Sequence, residues 1–242
     1  MTSRNRRIVQ AKSIKQRAKE PSPHGPTRCV IPNCRRDTQR SQGRGLSESY
    51  CKYHATRLRR HGHPTVSSYS NVQLSTYRKA VRKWLRLHRH EDNIRVTVQH
   101  LDSMMARQAR SVDAYHQRFL TPQKKAENVI ARLKEAQKSG LQLLEIVLTV
   151  KIANKELGPW GAPDFMLVQI GKLVKRLKGV SGTHFPETEL GQYLSKYPRA
   201  EGLYLRHLGT MILERSERII TAENLREIND LRNFGNEPAN RR

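Results

Sequence analysis

The sequence is poor in most of what builds an ordinary globular core. Aromatic residues make up 6% and hydrophobic residues 36% of its 242 positions, so apolar material must be concentrated in part of the chain. Cysteine occurs only three times, always between positions 29 and 51. An odd, clustered set argues against a disulfide framework and points to a reducing compartment. Acidic residues are scarce, with 21 Asp and Glu against 46 Lys and Arg. No apolar run reaches the roughly 20 residues that a membrane span requires. The longest, Leu141 to Ile152, is interrupted by Gln142, Glu145 and Lys151. Met1 to Glu20 lacks the apolar stretch of a secretory signal, although it is Arg-rich and nearly acid-free, as mitochondrial transit peptides also are. There is no glycine pattern of a P-loop or dinucleotide fold. No Ser-His-Asp or Cys-His catalytic set can be assembled, so the chain reads as a non-enzyme. A cytoplasmic, nucleoid-associated location is expected.

What the chain does have is positive charge, unevenly placed. The net charge is +25; residues 1–120 hold 26 of the Lys and Arg but only 7 of the Asp and Glu. Such an excess repels itself in a compact fold and calls for a polyanion. Nucleic acid is the first candidate, because neutralising phosphates releases counterions; an anionic membrane surface is the second.

Punctuation and periodicity divide the chain into a basic flexible arm and linker (1–27), a zinc finger (28–66), a basic helical segment (67–120), a helical domain (121–235) and a tail (236–242). The prolines and glycine of Pro21 to Pro26 mark the linker. Asp37 to Ser49 reads as a polar loop. A short helix is expected from Tyr50 to about His61, stopped by Gly62 and Pro64. Asn71 to Arg89 is amphipathic, with Leu74, Tyr77, Val81, Trp84, Leu85 and His88 at helical spacing. Val98, Leu101, Met104, Met105 and Val112 suggest a further helix, while Ile94, Val96 and Val98 offer the one hint of strand alternation. Thr121-Pro122 opens a helix running to about Lys138, with Gly140 as its stop. Leu141 to Leu157, apolar on most sides, is the expected central buried helix. Phe165 to Lys178 follows, with Met166 and Leu177 among its inward residues, then helices near 186–196, 202–218 and 222–233. Trp84 is expected in the core, and Trp160 packed across two helix ends, with anchoring of a partner as the alternative. The fold expected is mainly α, a small Cys3His finger followed by an all-α body.

The chemistry concentrates in Cys29-x4-Cys34 and, after a sixteen-residue gap, Cys51-x2-His54. Zinc takes four Cys and His ligands tetrahedrally from paired arrangements of this kind. Cys51 and His54, three apart at a helix start, face the same side. A segment this short cannot bury enough apolar surface to fold alone, and structural zinc would supply the missing free energy, on the order of 10 kcal/mol. Basic neighbours favour thiolates. His61 or His63 stands as an alternative to His54.

The stretch Tyr50 to Pro64, reading YCKYHATRLRRHGHP, together with the upstream Cys29 and Cys34, resembles the zinc-binding segment of phage HNH-type endonucleases and is similar to small zinc proteins of bacterial mobile elements. The shared pattern is a Cys pair, then C-x-x-H, arginines, and R-x-G-x-P. It covers about residues 28–64. The ββα nuclease box that accompanies the finger in those enzymes, with its catalytic His, Asn and metal-binding His, has no counterpart here. The resemblance therefore implies DNA binding without cleavage, and it is the reason for preferring duplex DNA over RNA.

Candidate nucleic-acid contacts are Arg35, Arg36, Arg44, Lys52, Arg57, Arg59, Arg60 and His61 around the metal, and Arg78, Arg82, Lys83 and Arg86 on the basic face of the 71–89 helix. Arginine suits phosphates and the paired acceptors of guanine. Residues 121–235 are expected to dock a protein partner or a second copy, with no membrane involved. The functional expectation is an accessory or regulatory factor in recombination or transcription. An RNA- or ribosome-associated zinc protein, a divergent nuclease and a structural subunit are the alternatives.

Overall fold

The computed structural model describes residues 12–14, 16–20, 27–112, 114–117, 119–180 and 202–234. The chain divides into two compact units, residues 1–66 and 67–242. Among the described residues it is helical; the only β pairing is an isolated antiparallel bridge between Arg28 and Asp37. The mainly α fold with a Cys3His cluster near the N-terminus is the one expected.

Unit 1 contains one long helix, α1 (Lys52–His61), ended by Gly62 at φ 79°, a left-handed position where glycine carries no steric penalty. Helical residues also occur in the arm, at 12–14 and 16–17, and residues 27–51 are largely loop, stitched by backbone bonds such as Val30 N–H to Ser49 O and Gln39 N–H to Tyr50 O. Its interior is unusual. The buried residues among those described are Cys29, Thr38, Arg40, Cys51 and Gly62; no Leu, Ile, Val or aromatic side chain is buried there.

Unit 2 comprises α2 (Asn71–Leu87), α3 (Asp92–Ala106), the short α4 (Ala114–Gln117), α5 (Pro122–Glu135), α6 (Gly140–Leu157), α7 (Pro163–Lys175), α8 (Gly202–Glu214), a 3-10 turn (Glu217–Ile219) and α9 (Ala222–Phe234). Helix α6 is the axle. Leu143, Leu144, Val147, Leu148, Val150 and Ala153 are fully buried, and α2, α3 and α7 pack around it. The helices of 67–120 and those of 121–234 thus form one unit, rather than a basic segment beside a separate domain.

Local chemistry explains the boundaries. Ser70 and Ser139 each begin a helix through a reciprocal capping box with the glutamine three residues on. Thr121 caps α5, with Pro122 in its first turn. Ser139 also accounts for a difference from expectation: Gly140 opens α6 and does not close α5, whose last residue is Glu135. Ile94 and Val96 lie within α3, with Ile94 buried, so the strand hint yields to helix. Val112 lies beyond α3 and is 36% exposed. Helix α7 ends at Lys175, and Met166 and Leu177 are only half-buried while Phe165, Val168 and Ile170 fill the interior. The helix expected at 186–196, and residues 236–242, lie outside the described residues.

Helices α7 and α8 meet backbone to backbone. A Cβ at Gly171 would come within 2.5 Å of the Leu205 carbonyl oxygen, and one at Gly209 within 2.2 Å of that of Leu167. Neither position tolerates a side chain without parting the helices.

Aromatic-polar links tie α2 to the rest. Trp84 is buried, as expected, and its indole N–H donates to Glu227 on α9 at 2.7 Å. His88 stacks on Trp84 at 4.7 Å, with Nδ1 at 2.5 Å from Glu91 and Nε2 at 3.0 Å from Glu227. Burial pulls its pKa down, but the two carboxylates outweigh that and raise it above the ordinary 6.5. A raised pKa means that protonated His88 stabilises the fold fully below 6.5, and that this contribution fades as pH climbs through the raised value.

Two outcomes follow for the full chain. The melting temperature followed by far-UV circular dichroism falls as pH rises from about 6 to about 8.5, and His88→Gln flattens that part of the profile. Gly209→Ala lowers stability to urea by about 1–3 kcal/mol, since α8 must move away from the Leu167 carbonyl. An unchanged urea midpoint would show the helix pair to be looser than its geometry.

Candidate metal centre and its basic surround

Four ligand atoms, from Cys29, Cys34, Cys51 and His54, lie within 4.8 Å of one another. Cys29 Sγ and Cys51 Sγ are 3.3 and 3.4 Å from His54 Nδ1, and Cys34 Sγ is 3.9 Å from Cys51 Sγ. An ion about 2.3 Å from each sulfur and about 2.0 Å from nitrogen, held tetrahedrally, gives S···S edges of about 3.8 Å and S···N edges of about 3.5 Å. The three edges given above fit that figure and the four atoms all lie within 4.8 Å of one another, so the residues present suit a small tetrahedral metal ion.

The loops deliver these atoms by backbone bonding. Cys29 N–H donates to Arg36 O at 2.9 Å, and Cys34 N–H to Ile31 O at 3.0 Å, closing a tight turn through Asn33 at φ 63°. Behind this knuckle the hydroxyls of Thr27, Thr38 and Ser41 lie 2.9 to 3.0 Å from one another. Arg40 is buried and donates to the Arg17 carbonyl, and Gly45 N–H donates to Ala18 O at 3.2 Å, so the end of the N-terminal arm is anchored on the finger loop. Cys51 is the N-cap of α1 and His54 lies in its first turn.

Electrostatics favours the ligand forms. Burial opposes ionisation of Cys51, but the backbone N–H groups of His54 and Tyr53 at the helix start bring its pKa below the usual thiol value. Burial, then the charges of Arg36 and Arg57, lowers His54 and keeps the imidazole neutral. At Cys34 the Arg36 backbone N–H favours the thiolate, yet partial burial and the neighbouring Cys29 and Cys51 sulfurs push the pKa up. That crowding of sulfurs is what a cation relieves.

The alternatives to His54 have other tasks. His63 Nδ1 accepts from the Val66 N–H at 3.1 Å and lies 3.3 Å from the Thr65 nitrogen, organising the turn after α1. His61 lines a pocket of about 480 Å³ that opens beside Cys51, with Arg36, Lys52, Tyr53, Arg57 and Arg60 around it. Tyr53, half exposed, is the pocket's scaffold: the guanidinium carbons of Arg36 and Arg57 sit 5.4 and 5.6 Å from its ring centre. Arg57 is further held by bonds to Tyr53 Oη and, at 2.7 Å, to Thr65 O. Arg35, Arg44 and Arg59 are exposed elsewhere on unit 1.

The candidates on α2 sit in unit 2. Arg82, Lys83 and Arg86 are exposed and Arg78 is half-buried. Arg82 Nε lies 2.9 Å from Glu145, and Arg78 Nε 3.8 Å. Trp160 is 76% exposed, its indole N–H donating to Lys155 O, so it does not pack across helix ends as expected. Sequence reasoning did not single out Tyr53, the Thr27–Thr38–Ser41 hydroxyl cluster or Glu145. Tyr53 alone carried a signal, as the aromatic between two ligands and four residues from an arginine.

Freshly purified chain should carry about one metal ion, and Cys34→Ser should lose it together with the fold of α1. Elemental analysis beside circular dichroism checks this; a metal-free wild-type chain with α1 intact would refute it. Among the described residues no helix is long and apolar enough to cross a membrane. Compared with protein-family models, curated proteins and solved structures, the chain matches none.

Proposed function

We propose that the chain is a zinc-dependent nucleic-acid-binding protein whose finger, residues 28–66, is the primary contact. One observation carries this reading. Cys51, one of the four metal-ligand residues, lines a pocket that gathers Arg36, Lys52, Arg57, Arg60 and His61 onto one surface of unit 1. Holding that many like charges together is unfavourable without a polyanion, and the rigid centre places them in a fixed array. Zinc is the ion favoured by a three-thiolate, one-imidazole tetrahedron in which no ligand position is left open, so its role is structural.

Duplex DNA is the preferred target, on the resemblance of the Tyr50–Pro64 stretch to the finger of phage HNH-type endonucleases. That likeness supports an accessory or regulatory role in recombination or transcription of a phage or mobile element. Arg35, Arg44 and Arg59 extend the contact along the backbone. A protein partner or second copy docks through residues 121–235, where the exposed Trp160 supplies an anchor.

Fluorescence anisotropy with a labelled duplex tests the proposal. With about six phosphates contacted, affinity falls about 10³-fold between 50 and 200 mM salt. A flat titration would remove phosphate contact from the account. Cys51→Ser abolishes tight binding along with the metal; full affinity retained by a metal-free variant would remove the finger.

A further inference from the structure

A second charged recess lies within unit 2. Its volume is about 280 Å³; its floor includes Ile146 and Leu173, and its walls carry Arg78 and Arg82 from α2 and Arg176 from the C-terminal end of α7. Three guanidiniums meet a single carboxylate there, that of Glu145. Glu145 is the more covered partner, its side chain 19% exposed against 58% for Arg82. It takes up the Arg82 Nε and leaves the outer nitrogens of that fork directed to other uses. Among the described residues no side-chain hydrogen bond occupies the Arg82 Nη atoms or the Arg176 guanidinium. Arg82 and Arg176 are remote in sequence, and the packing of α6 against α2 and α7 brings them to one opening.

A recess with excess guanidinium charge and planar N–H forks matches the oxygens of a phosphate, which two arginines can grip bidentately. We infer that this recess is a second phosphate site, taking a phosphodiester of the same nucleic acid that the finger binds. Arg82 and Arg176 are its contacting residues, and Glu145 is a positioning residue that aims the α2 arginines at the opening. The inference rests on the nucleic-acid reading above and adds to it a built site in which Arg176, absent from the sequence candidates, joins Arg82. Because the two units share one chain, engaging this site second is an intramolecular step that raises affinity without new finger contacts.

The test uses the full chain and a fluorescein-labelled 20-bp duplex, with affinity measured across a salt series. Arg82→Gln with Arg176→Gln should weaken binding about tenfold at physiological salt and lower the magnitude of the log–log salt slope by about 0.9, the share of one lost phosphate contact. Metal content and melting temperature should not change. Glu145→Gln keeps an acceptor for the Arg82 Nε but removes the opposing charge, so binding should tighten several-fold, an effect that a folding defect would not produce. If wild-type chain binds duplex and all variants share its slope, the recess is not a contact and the finger reading stands. If wild-type chain fails to bind nucleic acid at low salt, both fall. If inorganic phosphate or an acidic peptide, at constant ionic strength, binds wild type but not the double variant while the duplex slope is unchanged, the recess serves another anion and the inference is overturned.

Discussion

Unit 1 has almost nothing to hold it together except the convergence of three sulfurs and one imidazole. Its described interior is two cysteines, a threonine, an arginine and a glycine, with no large apolar side chain to exclude water. Hydrophobic burial, which stabilises most small folds at about 25 cal/mol per Å² of apolar surface, contributes little there. The backbone bonds of the knuckle and the hydroxyl cluster define geometry, but bonds exchanged with water are individually modest. A cation held among those four ligand atoms would therefore be the dominant source of order, and the arginines placed around α1 would inherit their positions from it.

Unit 2 rests on the opposite principle. Helix α6 is buried nearly all round, and its neighbours present apolar stripes to it. Polar links at the periphery, such as Trp84 to Glu227 and Tyr77 to Glu156, fix which helix pairs with which. The chain thus joins a charge-rich module built around a Cys3His cluster to a conventionally packed helical body. The positive excess of the first 120 residues is shared between the two, with the arm, the finger loops and the exposed face of α2 each contributing.

Much of this was readable in the sequence, for physical reasons that differ from place to place. The ligand set followed from scarcity: three cysteines and a histidine at metal spacing leave little else for them to do. The helix start at Thr121 and the stop at Gly62 followed from capping chemistry that acts over three or four residues. Gly140 misled, because a glycine says nothing about which of two adjoining helices owns it; Ser139 and Gln142 decide that. The Ile94–Val98 alternation was too short to outweigh the packing of α3. Trp160 was expected across two helix ends, and a turn's exposure is not written in its composition. Glu145, Arg78, Arg82 and Arg176 could not be grouped beforehand, since their meeting depends on three helices crossing.

The glycine contact between α7 and α8 has a consequence for the stretch of chain that joins them. Where two helices touch through their backbones, the interface itself sets their spacing and angle, and the connection need only be long enough to reach. The register of α7 on α8 is therefore fixed by two backbone contacts, Gly171 on Leu205 and Gly209 on Leu167, so that these two glycines act as the pair's ruler.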